Sequence, residues 1–255
     1  MDHSPPLSWN LAVALVLLVV LAVAASRYGR LRIERDVLVA AGRAIVQLGA
    51  VALVIAAVLD RTWASLLFTV GMFTVAVVTA AGRIRARPDW PWVAVALAAG
   101  VLPVLTIIFA LQAAAFTGPA IIPIAGIIIG GTMTAHTLTA RRAFEALRAD
   151  RGQVEAGLAL GLTRPSAISV VISRHAPEAI FPAIDQTRTV GLVTLPGAFV
   201  GVLLGGGSAT EAATAQVLVL VGLLAAETVE AVVAQRLIAD GRILPDDVRD
   251  ALPSR

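Results

Sequence analysis

Leu7-Ser-Trp-Asn-Leu-Ala-Val-Ala-Leu-Val-Leu-Leu-Val-Val-Leu-Ala-Val-Ala-Ala25 contains no charged residue, and Arg27, Arg30, Arg32 and Arg35 follow it at once. An α-helix rises about 1.5 Å per residue, so about 20 apolar residues cross the roughly 30 Å of bilayer hydrocarbon. The run is long enough to span. No basic residue precedes it and no small-residue cleavage site follows it, so it reads as a retained span and not a signal peptide. Moving outward from it, comparable runs occupy residues 37–59, 63–81, 90–111, 120–138 and 212–234. A shorter run, 190–204, is interrupted by Pro196, and its helix is expected to begin earlier, giving a sixth span over 183–204. The expectation is an all-α, polytopic membrane protein with about seven transmembrane helices in a single domain over residues 1–255.

The arginines orient it. With the N-terminus outside and the C-terminus in the cytoplasm, 18 of the 20 basic residues fall on the cytoplasmic side; Arg61 is outside and Arg43 lies within the second span. This is the asymmetry of the positive-inside rule, and it implies a multi-pass protein of a bacterial plasma (inner) membrane.

Composition narrows the chemistry. The 255 residues are 58% hydrophobic and 15% charged, with a mean hydropathy of +0.87, whereas soluble proteins carry about 25% charge. All 20 basic residues are arginine. A phosphate-binding G-x-x-x-x-G-K-[ST] loop requires lysine, so the chain does not hydrolyse ATP by that route. With no cysteine there is no disulfide, thiolate nucleophile or cysteine zinc site. The net charge of +3 serves topology, and no nucleic-acid partner is expected.

External connections are short. The long internal one, about 50 residues after the fifth span, exceeds what a plain link needs, and its core, 139–182, is the candidate cytoplasmic coupling segment. Good helix formers from Ala140 to Asp150 should prolong the fifth span out of the membrane. A second helix should end at Gly161 and a third begin near Pro165, following the glycine C-cap and proline N1 preferences.

Glu155-Ala156-Gly157-x-x-x-Gly161 resembles the E-A-A-x-x-x-G element of ABC-transporter permeases, whose short cytoplasmic helix docks on an ATPase subunit. Gly42-Arg-Ala-Ile-Val-Gln-Leu48, Ile122-Pro-Ile-Ala-Gly126 with Gly130, Leu158-Ala-Leu-Gly-Leu-Thr163 and Thr189-Val-Gly-Leu-Val-Thr-Leu-Pro-Gly197 are similar, in order over nearly the whole chain, to the Fet-type permeases. That family is associated with iron export in bacteria, and its plant relatives with aluminium tolerance. The resemblance implies a non-enzymatic transport subunit, export of iron or another metal, and a homodimer of permeases. It also implies a separate ATPase that binds ATP and Mg and meets Glu155, Ala156, Gly157, Gly161 and Thr163. No cofactor is expected in this chain. The sequence departs from the family pattern at Gly131, where an Asn is usual, at Ala198 and Phe199, where paired methionines are common, and at Ala215, where a tyrosine is expected.

Ionisable residues within spans are costly, at least about 2.5 kcal/mol at mid-membrane, and therefore single themselves out. Arg43 and Gln47 share a helix face, with Asp36 a heptad earlier. Arg43 either snorkels to headgroups or serves as a gate or packing partner. Gln216, Glu227 and Glu230 share another face, expected either to neutralise Arg43 in a buried ion pair or to stay hydrated at the inner interface. Met133 and His136 lie one turn apart, as core packing or as part of a path. Asp185, Arg188, Pro196 and Gly197 are further path or gate candidates, since a broken span exposes backbone groups. Gly126 with Gly130, and Gly197, Gly201 and Gly205, recur at four-residue spacing as close-packing faces within a subunit, between copies, or along a pore. No His-x-x-x-His or cysteine ligand set marks a metal site in the sequence.

Two other classes compete. A self-sufficient secondary transporter would use Arg43, Glu227 and Glu230 as an ion relay and would need no ATPase dock. An intramembrane serine protease would need Ser208 and His136 together, yet these are expected a membrane thickness apart.

Overall fold

The computed structural model describes residues 9–252, apart from the side chain of Ala56; the predicted start of the first span at Leu7, and His3, lie outside them. Two compact units divide the chain at Asp60.

The first unit is a pair of helices, α1 (Trp9–Tyr28) and α2 (Glu34–Val58). The turn between them is organised by Ser26, the buried residue of α1, whose carbonyl accepts from Leu31 N at 2.9 Å and whose hydroxyl accepts from Ile33 N at 3.4 Å. Arg30 and Arg32 take positive φ in this turn. The apolar faces of α1 and α2 are largely exposed, as suits lipid-facing spans.

The second unit holds α3 (Thr62–Arg83), α4 (Trp90–Ala110), α5 (Gly118–Ala149), α6 (Arg151–Ala159), α7 (Arg164–Ile172), α8 (Phe181–Thr189), α9 (Gly197–Leu204), α10 (Ala209–Ala239) and α11 (Asp246–Ala251). Short 3-10 turns at Arg87–Asp89 and Ala176–Ala179 complete it, and there is no strand among the described residues. Among the described residues six helices are long and apolar enough to cross a bilayer: α1, α2, α3, α4 with the turn before it, α5 and α10.

The expected sixth span over 183–204 is not one helix. It divides into α8 and the eight-residue α9, separated by residues 190–196, where Gly191 takes φ +80° and Val190 bridges to Thr194. Proline at 196 removes a helical N–H and restrains the residue before it. The left-handed glycine five residues earlier widens what proline alone would make a bend.

Close approaches between helices set their directions. Along α10 and α5, Gly222 lies against Ile128, Leu223 and Glu227 against Gly131, and Glu230 against His136, so the two run parallel. Along α4, Gly100 meets Ala226 and Glu230 while Val104 and Ile108 meet Gly222, so α4 is antiparallel to both. Met72 of α3 meets Gly126, and Arg141 Nη2 donates to Arg83 O at 3.5 Å, so α3 runs with α5. Because α5 and α10 are parallel, residues 150–208 must return the chain to its starting end. The broken α8–α9 segment lies on that return.

The ladder also gathers the arginines that follow α3 and those on the last turns of α5 and α10 at one end of this unit. There Asp89 Oδ2 accepts from Arg249 Nη2 at 2.8 Å and from Leu244 N at 3.0 Å, and Arg148 Nε donates to Asp247 at 2.8 Å. The hydrogen bond from Arg148 holds the Asp247 carboxyl below its ordinary value. The Arg242 guanidinium lies 4.1 Å from the centre of the Trp92 ring. These contacts strap the tail, with Ile243, Leu244 and Val248 buried, to the ends of α4 and α5. At 32 residues, α5 is about 48 Å long, and its last turns bury Phe144 and Leu147 in the core of this end.

Candidate functional site

At the end away from the arginines, the first turns of α5 and α10 diverge, with α8 and α9 beside them. The serine at 208 caps α10 through a reciprocal box: its hydroxyl accepts from Glu211 N at 3.2 Å, and Glu211 Oε2 accepts from Ser208 N at 2.7 Å. Proline at 119 and 123 and glycine at 197 and 201 leave little side-chain bulk between the helices. The result is a cavity of about 1060 Å³, lined among others by Pro119, Pro123, Ile124, Ile127, Gln186 and Pro196, by Gly197, Ala198 and Gly201, and by Thr214, Gln216, Leu220 and Leu223. Gln216 is buried, and its side-chain oxygen accepts from Phe199 N at 3.2 Å, tying α9 to α10.

Below the cavity the helices close on one another. A Cβ on Gly131 would collide with Leu223 and come within 2.7 Å of Glu227 Oε1, and one on Gly100 would collide with the Ala226 carbonyl. One turn further on, His136 Nδ1 and Glu230 Oε1 stand 2.6 Å apart, both side chains 0% exposed. His136 Nε2, Glu230 Oε2 and the nearby Thr139 Oγ1 are buried without a hydrogen-bond partner among the described residues. Such orphaned atoms are expensive and uncommon in a dry interior. They mark this seam as a place held in one arrangement although it offers unused bonding capacity.

At the arginine-rich end, α6 and α7 form a protruding hairpin. Gly157 packs against Ala167, whose methyl would be 3.2 Å from a Cβ at 157. Gly161 takes φ +87° in the turn, a conformation glycine adopts without penalty. Thr163 caps α7, its hydroxyl accepting from Ser166 N at 3.4 Å. Val154, Ala167, Ile168, Val171 and Ile172 are buried, whereas Leu160 is 85% exposed and Glu155 and Ala156 are also on the surface, Glu155 bonded to Arg151 at 2.9 Å. The hairpin is thus anchored on one side and bare on the other.

The residues singled out from sequence divide accordingly. Gln216, Pro196, Gly197 and Gly201 line the cavity; Glu227, Glu230, His136 and the half-buried Met133 lie on or beside the seam beneath it. Glu155, Ala156, Gly157, Gly161 and Thr163 share the hairpin. Asp185 and Arg188 are exposed and pair with each other at 3.7 Å, while their neighbour Gln186 reaches the cavity. Arg43 and Gln47 are exposed residues of the first unit. The partner of Glu230 within the second unit is His136, a ring 94 positions away on α5. Ser208 caps α10 about 33 Å along that helix from Glu230 and its histidine, so no serine–histidine dyad forms.

The glycines of the four-residue stripes differ in what they meet within this chain. Gly126 meets Met72 of α3, but Gly130, Gly197 and Gly201 face no atom within 4 Å and Gly205 faces only the turn before it. The tight approaches fall at Gly100 and Gly131, which the four-residue spacing does not mark. Ala198 and Ala215 line the cavity, Phe199 bonds to Gln216, and Gly131 lies under the floor. All four departures from the resembled family pattern therefore surround this site. Among the described residues no group of three or more His, Cys, Asp or Glu could hold a metal ion.

Long apolar helices, a broken return segment and a cavity above a buried polar seam define an α-helical, multi-pass membrane protein. Residues 8–241 match the uncharacterised protein family UPF0014, and the chain belongs to that family. It is 36% identical over 228 residues to the UPF0014 membrane protein STAR2 of Oryza sativa subsp. japonica, covering 88% of this chain and 80% of that one. It is 30% identical over 232 residues to the "Probable iron export permease protein FetB" of Escherichia coli (strain K12), covering 88% of each. It is 30% identical over 227 residues to the protein ALUMINUM SENSITIVE 3 of Arabidopsis thaliana, covering 88% and 83%. No solved structure matches.

Proposed function

We propose that this protein is the membrane-spanning permease subunit of an ABC transporter, a non-enzymatic chain that exports iron or another metal from the bacterial cytoplasm. Two copies form the path across the plasma membrane. A separate ATPase binds ATP and Mg and docks on the hairpin of each copy. The observation that carries this reading is the α6–α7 hairpin, buried on one side and bare at Glu155, Ala156 and Leu160, at the arginine-rich end that the positive-inside rule assigns to the cytoplasm. The relative named as an iron export permease supports the direction and the cargo. ATP closes the ATPase pair, the hairpins move with it, and the helices that bound the cavity shift between two openings; the shift equals the difference in ATP affinity between the two states.

The test is co-purification of the full chain with an ATPase encoded beside it, together with metal efflux from cells. Glu155→Lys combined with Gly161→Arg should release the ATPase and abolish efflux while the chain stays in the membrane. An ATPase still captured by this variant would remove the hairpin from the reading. The orphaned Glu230 oxygen and the buried Glu227 favour a second reading, a self-sufficient carrier moving a proton through the seam. Undiminished efflux without any ATPase would establish it in place of the first.

A further inference from the structure

The cavity between α5, α8, α9 and α10 has a chemistry of its own, and it does not suit a bare ion. At about 1060 Å³ it matches the upper range of small-molecule pockets, about 300–1,000 Å³. An ion with six waters would fill only about 180 Å³ at about 30 Å³ per water. Pro, Ala, Ile, Val and Leu dominate the wall, and neither arginine nor histidine contributes to it. Its one carboxylate, Glu211, is held through Oε2 by Ser208 N and Ser208 Oγ, at 2.7 and 2.9 Å. Magnesium and calcium call for six or more oxygen ligands and zinc for about four ligands, and this wall supplies no such set. An anion would find no counter-charge, and a charge stripped of water among apolar walls is prohibitive unless paired. What the wall does offer is a donor: with the Gln216 carbonyl taken by Phe199 N, the amide N–H groups of Gln216 are left to bond a guest.

We infer that the cavity takes an uncharged, largely apolar organic molecule bearing a hydrogen-bond acceptor that meets the Gln216 amide, so that a metal ion leaves through it only when already wrapped in organic ligands. This rests on the chain being a permease and names the chemical class of what it carries. Binding needs no ATPase, so the two readings fail separately.

The test uses the full chain in phosphatidylcholine nanodiscs and Prodan, an uncharged naphthyl ketone whose emission moves to the blue in apolar surroundings and to the red when its carbonyl accepts a hydrogen bond. After subtraction of empty nanodiscs, a saturable component of one dye per chain is expected. Ala198→Trp, which fills the cavity, should weaken it at least tenfold, and Gln216→Leu should keep the dye bound but shift its emission to the blue. ATPase capture is scored on the same preparations. A variant that loses Prodan while holding the ATPase is folded and reports on the cavity. Prodan partitioning no better than into empty nanodiscs overturns the inference. So does saturable binding of manganese chloride that Ala198→Trp abolishes. Release of one tightly held phospholipid per Prodan bound would make lipid the occupant and overturn it equally.

Discussion

Replacing Glu230 with leucine, and separately His136 with leucine, interrogates a side-chain contact between α5 and α10 that is wholly buried. Interhelical hydrogen bonds in membranes average only about 0.6 kcal/mol and reach about 1.7 kcal/mol, because the unfolded chain also finds partners there. Breaking a buried ion pair in a soluble protein costs about 3–5 kcal/mol, most of it from the abandoned partner. Here both side chains are 0% exposed at 2.6 Å, and the second atom of each has no other partner. The contact therefore belongs where the two ranges meet, and each single replacement is expected to destabilise by about 2–3 kcal/mol. The double replacement removes both orphans and should be nearer neutral than the sum, with a coupling of at least about 1.5 kcal/mol. The measurement is SDS-titration unfolding in dodecyl maltoside micelles, followed by tryptophan fluorescence. Single effects that add within about 0.5 kcal/mol would show that the pair is adjacency without interaction, and the account of the seam would fall with it.

Adjacent glycines on α5 should behave oppositely: Gly131→Ala drives a methyl into Leu223 and Glu227 and should destabilise by about 1–3 kcal/mol, whereas Gly130→Ala meets nothing within 4 Å and should leave thermal unfolding in detergent unchanged or slightly raised. Gly161→Ala places a side chain at φ +87°, a strain of about 1–3 kcal/mol; trypsin should then cut at Arg151, at the start of the same hairpin, faster than in the parent, and equal rates would mean that the turn relaxes freely. Asp89→Ala removes the acceptor shared by Arg249 and Leu244 N, and cleavage at Arg242 and Arg249 should accelerate several-fold while α3, α4 and α5 stay resistant.

Helix existence was legible wherever an apolar run was long, because lipid leaves the backbone few alternatives to satisfying itself internally. Arginine placement likewise foretold which ends would gather. The hairpin turn was readable from Gly161 and Pro165 because both act through their own dihedral angles. What sequence could not supply was pairing across distance. Gln216, Glu227 and Glu230 fell on one face by arithmetic, and all three are buried, but nothing local says that His136 answers Glu230. The Asp89–Arg249 contact joins positions 160 apart and carries no local trace. Nor did four-residue glycine spacing mark Gly100 and Gly131, since a close approach depends on what the opposing helix presents. Gly191 was the missed signal in the broken segment: a glycine five residues before a proline allows a second reversal that the proline alone does not.

That broken segment bears on how the chain enters the membrane during synthesis. Insertion machinery reads about 20 consecutive apolar residues. The eight of α9 fall far short, and α8 brings Asp185 and Arg188, each disfavoured by about 2.5–3.5 kcal/mol at the centre of a span. Residues 181–204 are accordingly poor clients on their own and find shelter only once α10 lies alongside α5. The last long helix to be translated completes the one before it, and a nascent chain released short of α10 would leave α8 and α9 without the helix they pack against, open to proteolytic quality control.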